Sequence, residues 1–199
     1  MALCHAVIGT KLLIPSFNFN MTPEKILHFW FEEIDQGLWW KKDESLDQLI
    51  IDRFSYIHAK AIQGELFEWR FTAKGSLAEI IILDQFSRNM FRDSARAFAY
   101  DGMALLLSQE AIAAEFDREL TPVENSFLFM PFMHSESALI HELALALYER
   151  NGIQNNLDFE IKHKEIIDHF GRYPHRNAVL GRESTAEEMA FLKEPGSSF

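Results

Sequence analysis

The 199-residue chain has a single cysteine, Cys4, and this scarcity bears on where it works. One cysteine cannot form an internal disulfide framework, so the cysteine content does not indicate an oxidising compartment. Nine glycines and six prolines are too few for a fibrous or extensively disordered chain. No run approaches the about 18 consecutive apolar residues that a membrane span requires. The sequence therefore predicts a cytoplasmic, globular protein that does not associate with membranes.

Positive charge is also in short supply. Lys and Arg total 19 against 30 Asp and Glu, which gives a formal net charge of −11. Binding to nucleic acid, or to an anionic membrane surface, needs a broad basic face, so neither partner is expected. What the chain has in abundance is apolar surface, since 48% of its residues are hydrophobic and 13% aromatic. That content and this length predict one domain with one sizeable core.

The start of the chain differs in character from the remainder. Residues 1–20 are mildly apolar but lack a basic leading segment, and Lys11 interrupts the apolar run, so they make a poor signal peptide. A helix start comes next, in which Thr22 is a suitable cap and Pro23 suits the first helical position. We predict that residues 1–20 are an N-terminal extension and that the domain spans residues 21–199.

Apolar residues recur at helical spacing along this domain, and no useful length alternates as a strand does. Thr121 with Glu124, and Ser184 with Glu187, have the spacing of capping boxes that open helices. A long helix is predicted to begin after a cap at Ser94. About eight helices with short connections predict an all-α fold, a single domain of antiparallel helices.

The stretch "FGRYPHRNAVLGREST", residues 170–185, concentrates positive charge in an otherwise acidic chain. Arginine offers a planar fork of donors suited to carboxylate or phosphate, and the loop enters a helix N-terminus, where free N–H groups favour an anion. One interpretation is an anion pocket, and the other is that the arginines pair with acids and pin the last helix. The candidate residues of this stretch are Arg172, His175, Arg176, Asn177, Arg182 and Ser184.

A second candidate segment, "LDQFSRNMFR", ends an otherwise apolar helix in polar groups, which need partners when they are buried. Asp84, Arg88 and Arg92 recur four residues apart and so share one helix face. Gln85 and Asn89 form a neighbouring row. Asp84 is a candidate general base or orienting carboxylate, and the arginines are candidates for binding an anionic substrate. The alternative is a structural Asp84–Arg88 pair within the helix.

The third candidate segment is "MPFMHSES". His134 lies just before a helix that Ser135 is predicted to cap, and Glu136 falls in the first turn of that helix. An imidazole titrates near neutral pH, which makes His134 a candidate acid or base. The alternative is a loop histidine bonded to the backbone.

Metal and cofactor signals are weak. Glu160 and His163 form one Glu-x-x-His motif, whereas di-iron helical bundles use two. No phosphate loop, dinucleotide fingerprint or nucleophile elbow is present. We therefore expect neither a metal nor a cofactor.

Taken together, the motifs resemble a known family. "ILHFWFEE", "WWKKD", "LDQFSRNMFR", "MPFMHSES", "FGRYPHRNAVLGREST" and "FLKEPGSSF" occur in the order seen in the domain of unknown function 924 family, from about Ile26 to the last residue. The resemblance implies a bacterial-type, all-helical, tetratricopeptide-like stack. The resemblance implies no particular activity, because no activity is established for the family. Ser87 stands where the family more often has proline, which implies that the helix of the second segment runs slightly longer here.

Three hypotheses remain open. The first is a small-molecule enzyme or binding protein whose pocket gathers the candidate segments around a small anion. The second is an interaction module, in which the arginines clamp the carboxylate of a protein or peptide partner. The third is an internal network of ion pairs. The catalytic candidates are Asp84, His134 and His175, and the ligand-binding candidates are Gln85, Arg88, Asn89, Arg92, Glu136, Arg172, Arg176, Asn177, Arg182 and Ser184.

Overall fold

A computed structural model describes residues 21–197, and within that range every regular element is helical. The all-α class is thereby confirmed for the described part of the chain. The predicted extension, residues 1–20, lies outside it, as do the last two residues. The α-helices of the described range are α1 (Pro23–His28), α2 (Glu44–Ala61), α3 (Ala73–Ile81), α4 (Ser87–Met90), α5 (Asp101–Ala113), α6 (Pro122–Met133), α7 (Ala138–Asn151), α8 (Gln154–Phe170) and α9 (Ala186–Phe191).

Two of these helices continue into a π-helical turn, which is wider than an α-helical turn by one residue. α1 continues into Phe29–Glu33, and α3 continues into Ile82–Phe86 and then α4. Residues 73–90 are therefore one continuous helical run. This agrees with the prediction that the helix containing Ser87 is slightly longer here than in the family. Single 3₁₀ turns connect the helices at Gln36–Trp40, Phe67–Phe71, Ala95–Phe98, Phe116–Arg118 and Pro174–Arg176.

The core is built around α3, which packs against α1, α5 and α6. A helix that is apolar almost all round is typical of a buried position, and Leu77, Ile80 and Ile81 are fully buried. Rings of Phe29 and Phe54 pack beside it with centroids 4.7 Å apart. Farther along the chain, α6, α7 and α8 pack consecutively on one another. No helix among residues 21–197 is both long and apolar enough to cross a bilayer.

A second, smaller cluster of buried apolar side chains joins the end of α8 to the adjoining loop and to α9. Ile166, Ile167 and Tyr173 form its centre, and Phe170 and Phe191 pack against them. This cluster holds the arginine-rich loop of residues 171–185 against the body of the protein.

Helix caps agree with the sequence pattern in part. The predicted box at Thr121 and Glu124 is present. The box before α9 lies one residue later than predicted, at Thr185 and Glu188, because the backbone is still extended at Thr185. The predicted cap of α7 is also displaced, from Ser135 to Ser137.

The long helix predicted to begin after Ser94 is divided in two. Ser94 caps the 3₁₀ turn Ala95–Phe98, and α5 begins only at Asp101. This break places Asp101 in the first turn of a helix, where a carboxylate is favoured by the helix dipole.

Candidate functional site

A cavity of about 740 Å³ lies where the run of residues 73–90, the end of α6, the start of α8 and the arginine-rich loop come together. Its volume falls within the roughly 300–1,000 Å³ of small-molecule sites. Residues from all three candidate segments of the sequence therefore line one cavity. The predicted residues that line it are Gln85, Arg88, Asn89, Arg92, His134, His175 and Arg176.

Arg88 of α4 and Arg176 of the 3₁₀ turn converge on one carboxylate, that of Asp101. Arg88 Nη1 and Nη2 each lie 3.0 Å from an oxygen of Asp101, so that pair is bidentate. Arg176 Nη1 lies 3.4 Å from Asp101 Oδ2. Asp101 was absent from the sequence candidates because a helix beginning near Ser94 places it in a helix interior. The sequence feature that could have identified Asp101 is an acidic residue in the first turn of a helix.

Asp84 lies behind the cavity wall, in the π-helical turn, and is 1% exposed. Its Oδ1 lies 2.8 Å from Nδ1 of His134 and 3.1 Å from Nη1 of Arg88. Gln85 donates to its Oδ2 at 2.5 Å. Burial favours a neutral carboxyl, but Arg88 and His134 outweigh it and hold the pKa of Asp84 well below its ordinary value. Asp84 is therefore an anion at neutral pH.

The cavity histidines are neutral at neutral pH. Burial, and then the neighbouring Arg88, lower the pKa of His134. Burial and Arg176 lower the pKa of His175 to about 4, and burial lowers that of His163, another cavity residue, to about 3. Because Nδ1 of His134 faces an ionised carboxylate, it carries the proton and leaves the lone pair on Nε2. That is the form of a histidine that accepts a proton.

Arg176 is held between two aromatic rings. Its guanidinium carbon lies 4.6 Å from the ring centroid of Phe98 and 4.5 Å from that of Tyr173. The residue is 6% exposed, and its Nε has no hydrogen-bond partner among the described residues. Burial and the nearby charge of Arg88 lower the pKa of Arg176. Its positive charge is incompletely balanced.

The cavity walls combine positive charge with apolar surface. Among the lining residues that the structure describes, five side chains are cationic and one, Asp93, is a carboxylate, in a chain whose net charge is −11. Such a surface favours an anion. The cationic side chains are Lys41, Lys42, Arg88, Arg92 and Arg176, and the apolar ones include Trp39, Trp40, Phe98, Met130, Met133, Phe159 and Val179.

Arg92 and Asn89 line the cavity while they also tie the end of the helical run to α2. Arg92 Nε and Nη2 each lie 2.6 Å from an oxygen of Asp47, and Asn89 donates to the same carboxylate at 2.8 Å. These charge-assisted hydrogen bonds join the helical run to α2, so both side chains have a structural role as well as a place in the cavity lining.

The other predicted residues lie outside the cavity lining. Arg182 makes a bidentate pair with Glu136 at 2.6 and 3.0 Å. Its Nε donates to Asn177, which in turn donates to Ser184. Glu136 also accepts the backbone N–H of Tyr173 at 2.8 Å. This network fixes the loop that presents His175 and Arg176 to the cavity.

Arg172 lies outside the lining as well. Its Nε and Nη2 lie 2.6 and 2.8 Å from the two carboxylate oxygens of Glu188 on α9. Glu188 also accepts the backbone N–H of Thr185, as part of the capping box. In this geometry Arg172 joins α9 to the loop.

The ligand geometry of a metal site is not found among residues 21–197, where no three His, Cys, Asp or Glu side chains are grouped to hold an ion. In the Glu-x-x-His motif, Glu160 contacts Nδ1 of His141 at 2.7 Å, whereas Nδ1 of His163 lies 2.7 Å from the carbonyl of Phe159. The two side chains of the motif thus have separate partners.

Comparison with known proteins agrees with the helical architecture. A family model described as "Bacterial protein of unknown function (DUF924)" matches residues 26–196. A solved structure of a protein of unknown function from Agrobacterium tumefaciens is similar, with a TM-score of 0.83 and 35% sequence identity, over 87% of this chain and 97% of that one. No curated protein matches the chain. The chain belongs to the DUF924 family of bacterial proteins of unknown function.

Proposed function

We propose that this protein binds a small anionic molecule, a carboxylate or a phosphate, in the cavity, and that Arg88 and Arg176 hold its charge. The observation that carries the proposal is the convergence of two guanidinium groups from distant segments, the partly buried one of Arg88 and the buried one of Arg176, on the carboxylate of Asp101. Like charges in a buried site repel, and an anion placed beside them relieves that repulsion.

We propose further that the bound molecule is a substrate and that His134 is the general base. A neutral imidazole oriented by an ionised carboxylate is the arrangement that accepts a proton from a reacting group, and Asp84 holds His134 in this way at 2.8 Å. The two arginines would then stabilise negative charge that develops during the reaction. His175, also neutral and lining the cavity, is the second candidate for proton transfer.

Thermal unfolding in the presence of anions tests the binding. Inorganic phosphate, phenyl phosphate and 3-phenylpropanoate are the probes, and at least one is expected to raise the Tm of the wild-type protein. Arg88→Ala and Arg176→Ala are expected to abolish that rise, whereas Arg118→Ala, an exposed arginine paired with Glu115, keeps it. Equal responses of wild type and both cavity variants would refute the proposal.

A second candidate function is recognition of a peptide carboxylate. The cavity lining includes Trp40, which is 54% exposed, beside the exposed Lys41 and Lys42, and this surface would suit a chain that leaves the cavity. Peptides with a free C-terminus would then bind, and the same peptides with an amidated C-terminus would not. Equal binding of both forms excludes the clamp.

Two broader expectations belong to the same proposal. A cytoplasmic location is supported by the single cysteine of the sequence. A tetratricopeptide-like stack is supported by the consecutive packing of α6, α7 and α8.

A further inference from the structure

The two cavity arginines are not equivalent. Arg88 Nη1 donates to the carbonyl of Asp84 at 2.8 Å and lies 3.1 Å from its carboxylate, and both Nη atoms donate to Asp101. Among the described residues, the Arg176 side chain makes one hydrogen bond, 3.4 Å long, to Asp101, and its buried Nε has no partner. A buried donor without a partner costs free energy, which a ligand that accepts from it recovers.

The orientation of Arg176 is set before any ligand arrives. Its guanidinium lies between the rings of Phe98 and Tyr173. The Tyr173 hydroxyl donates to the carbonyl of Met133 at 2.5 Å, and the Tyr173 backbone N–H donates to Glu136. With Nη1 directed at Asp101, the other edge of the guanidinium is formed by Nη2 and by Nε, which has no hydrogen-bond acceptor among the described residues. Two parallel N–H groups on one edge match the two oxygens of a carboxylate or a phosphate.

Resting on the proposed function, we propose that Arg176 is the anchor for the ligand, which it binds side-on through Nε and Nη2. The ligand class is a carboxylate or phosphate attached to an apolar body of about the size of an aromatic ring. The cavity of about 740 Å³ is far larger than a free phosphate requires, and its apolar walls cover the space beyond the anion. The wall residues that would contact the apolar body are Phe98, Met130, Met133, Phe159 and Val179.

The ligand class is tested on the wild-type protein by calorimetry. Phenyl phosphate or 3-phenylpropanoate should bind with an affinity at least roughly tenfold above that of inorganic phosphate, because the ring is removed from water. Benzyl alcohol, which has the ring without the charge, should not bind measurably. Inorganic phosphate binding as tightly as both ring-bearing anions would overturn the apolar body, and benzyl alcohol binding as tightly would overturn the anionic anchor.

The side-on anchor is tested with Arg176→Lys, which keeps the charge and removes the fork. Affinity for the ring-bearing anion should fall roughly 10- to 100-fold. Arg96→Lys is the matched control, since Arg96 also lies over a ring, 3.8 Å from the centroid of Phe91, but does not line the cavity. Wild-type affinity in the Arg176→Lys protein would overturn the side-on anchor while the proposed anion binding stands. Absence of any anion binding in wild type would overturn both.

Contact between the ligand and Arg176 can also be measured directly in the wild-type protein by NMR, without binding measurements on the lysine variant. In wild-type protein labelled with 15N-arginine, the Nε–H signal of Arg176 should shift on titration with phenyl phosphate, since that donor gains an acceptor. The signal is assigned by its loss in Arg176→Lys, or in Arg176→Met should the lysine variant fail to fold. Movement of other arginine signals while that of Arg176 stays fixed would overturn the assignment of the anchor.

Discussion

Asp101 is the carboxylate that two arginines of the cavity share. It lies in the first turn of α5 and accepts from Arg88 on both oxygens, while Arg176 approaches one of the same oxygens at 3.4 Å. Arg88 has a second carboxylate partner, Asp84 at 3.1 Å, whereas the carboxylate that Arg176 contacts is that of Asp101. Removing the carboxylate of Asp101 therefore exposes Arg176 to the repulsion of Arg88.

We expect Asp101→Asn to lower the free energy of unfolding by about 2–4 kcal/mol, because the buried guanidinium of Arg176 loses the carboxylate that it contacts, while Arg88 keeps Asp84. Inorganic phosphate should then raise the Tm of this variant more than that of wild type, since the added anion replaces the lost charge. Urea unfolding and thermal scans with and without phosphate measure both effects. Asp52→Asn, at an exposed carboxylate on α2, should change neither. A destabilised Asp101→Asn that phosphate does not rescue would contradict this account.

Buried histidines make the stability of the protein depend on pH. Burial and Arg96 lower the pKa of His58 to about 4, and the pKa values of His175 and His163 fall to about 4 and 3. Because each folded pKa lies below the ordinary value near 6.5, the unfolded chain binds protons first as the pH falls. The stability that these groups contribute is complete above about pH 6.5 and is lost as the pH falls toward 3–4. Glu160, whose pKa burial raises, acts in the opposite direction.

The free energy of unfolding should therefore decrease between pH 6.5 and 4.5. His163→Gln should make this decrease shallower by up to about 1.4 kcal/mol for each pH unit. Urea titrations at closely spaced pH values give the slopes. Leu139→Gln, at an exposed position of α7 that does not titrate, is the control and should leave the slope unchanged. Equal slopes in wild type and the His163 variant would show that the buried imidazole is already protonated in the native state.

At the scale of the element, periodicity predicted most helices because an apolar face repeats every three to four residues. The π-helical turn Ile82–Phe86 was not predicted, since its sequence carries no marker that distinguishes it from an α-helical turn. The displaced cap before α9 has a simple cause. Two hydroxyl residues, Ser184 and Thr185, precede two glutamates, Glu187 and Glu188, and the pattern alone cannot choose the register.

Two glycines show how the packing of elements decides the effect of one substitution. A Cβ on Gly75, in the first turn of α3, would lie 1.9 Å from the carbonyl oxygen of Trp69, which is backbone and cannot move cheaply. Gly75→Ala should lower the free energy of unfolding by about 2–3 kcal/mol. Gly102→Ala, in the first turn of α5 with nothing within 4 Å, should raise it by about 0.5–1 kcal/mol. Urea unfolding of both variants checks the opposite signs, and a shared sign would contradict the packing argument.

At the scale of the whole molecule, the sequence indicated which segments were rich in polar chemistry but not which side chains meet. Arg172 and Arg176 belong to one loop and one residue type, yet Arg172 pairs with Glu188 on α9 while Arg176 lines the cavity. That choice depends on where α9 and α5 dock. Asp101 lies far from the loop in sequence, and the residue pattern of a single chain does not predict contacts between residues so far apart.

The molecule also divides into a large core and the small cluster around Tyr173. The loop and α9 are joined to the rest by few apolar contacts and by charged pairs such as that of Arg182 with Glu136. Regions of this kind open at a lower free energy than the core, so their amides exchange with solvent faster. We expect the amides of residues 173–191 to exchange faster than those of residues 76–90, and at similar rates to one another.

Glu136→Gln weakens the Arg182 pair while it preserves side-chain shape. Amide exchange in residues 173–191 should accelerate roughly tenfold or more in this variant, with residues 76–90 unchanged. Hydrogen exchange followed by mass spectrometry measures both regions, and Glu142→Gln, at an exposed partner of Lys164, is the control. Uniform acceleration along the chain would mean that the loop unfolds only with the core. Because the opening unit contains Arg176, molecules with this segment open would lack the proposed anion site, and the affinity measured for an anion would fall by that fraction.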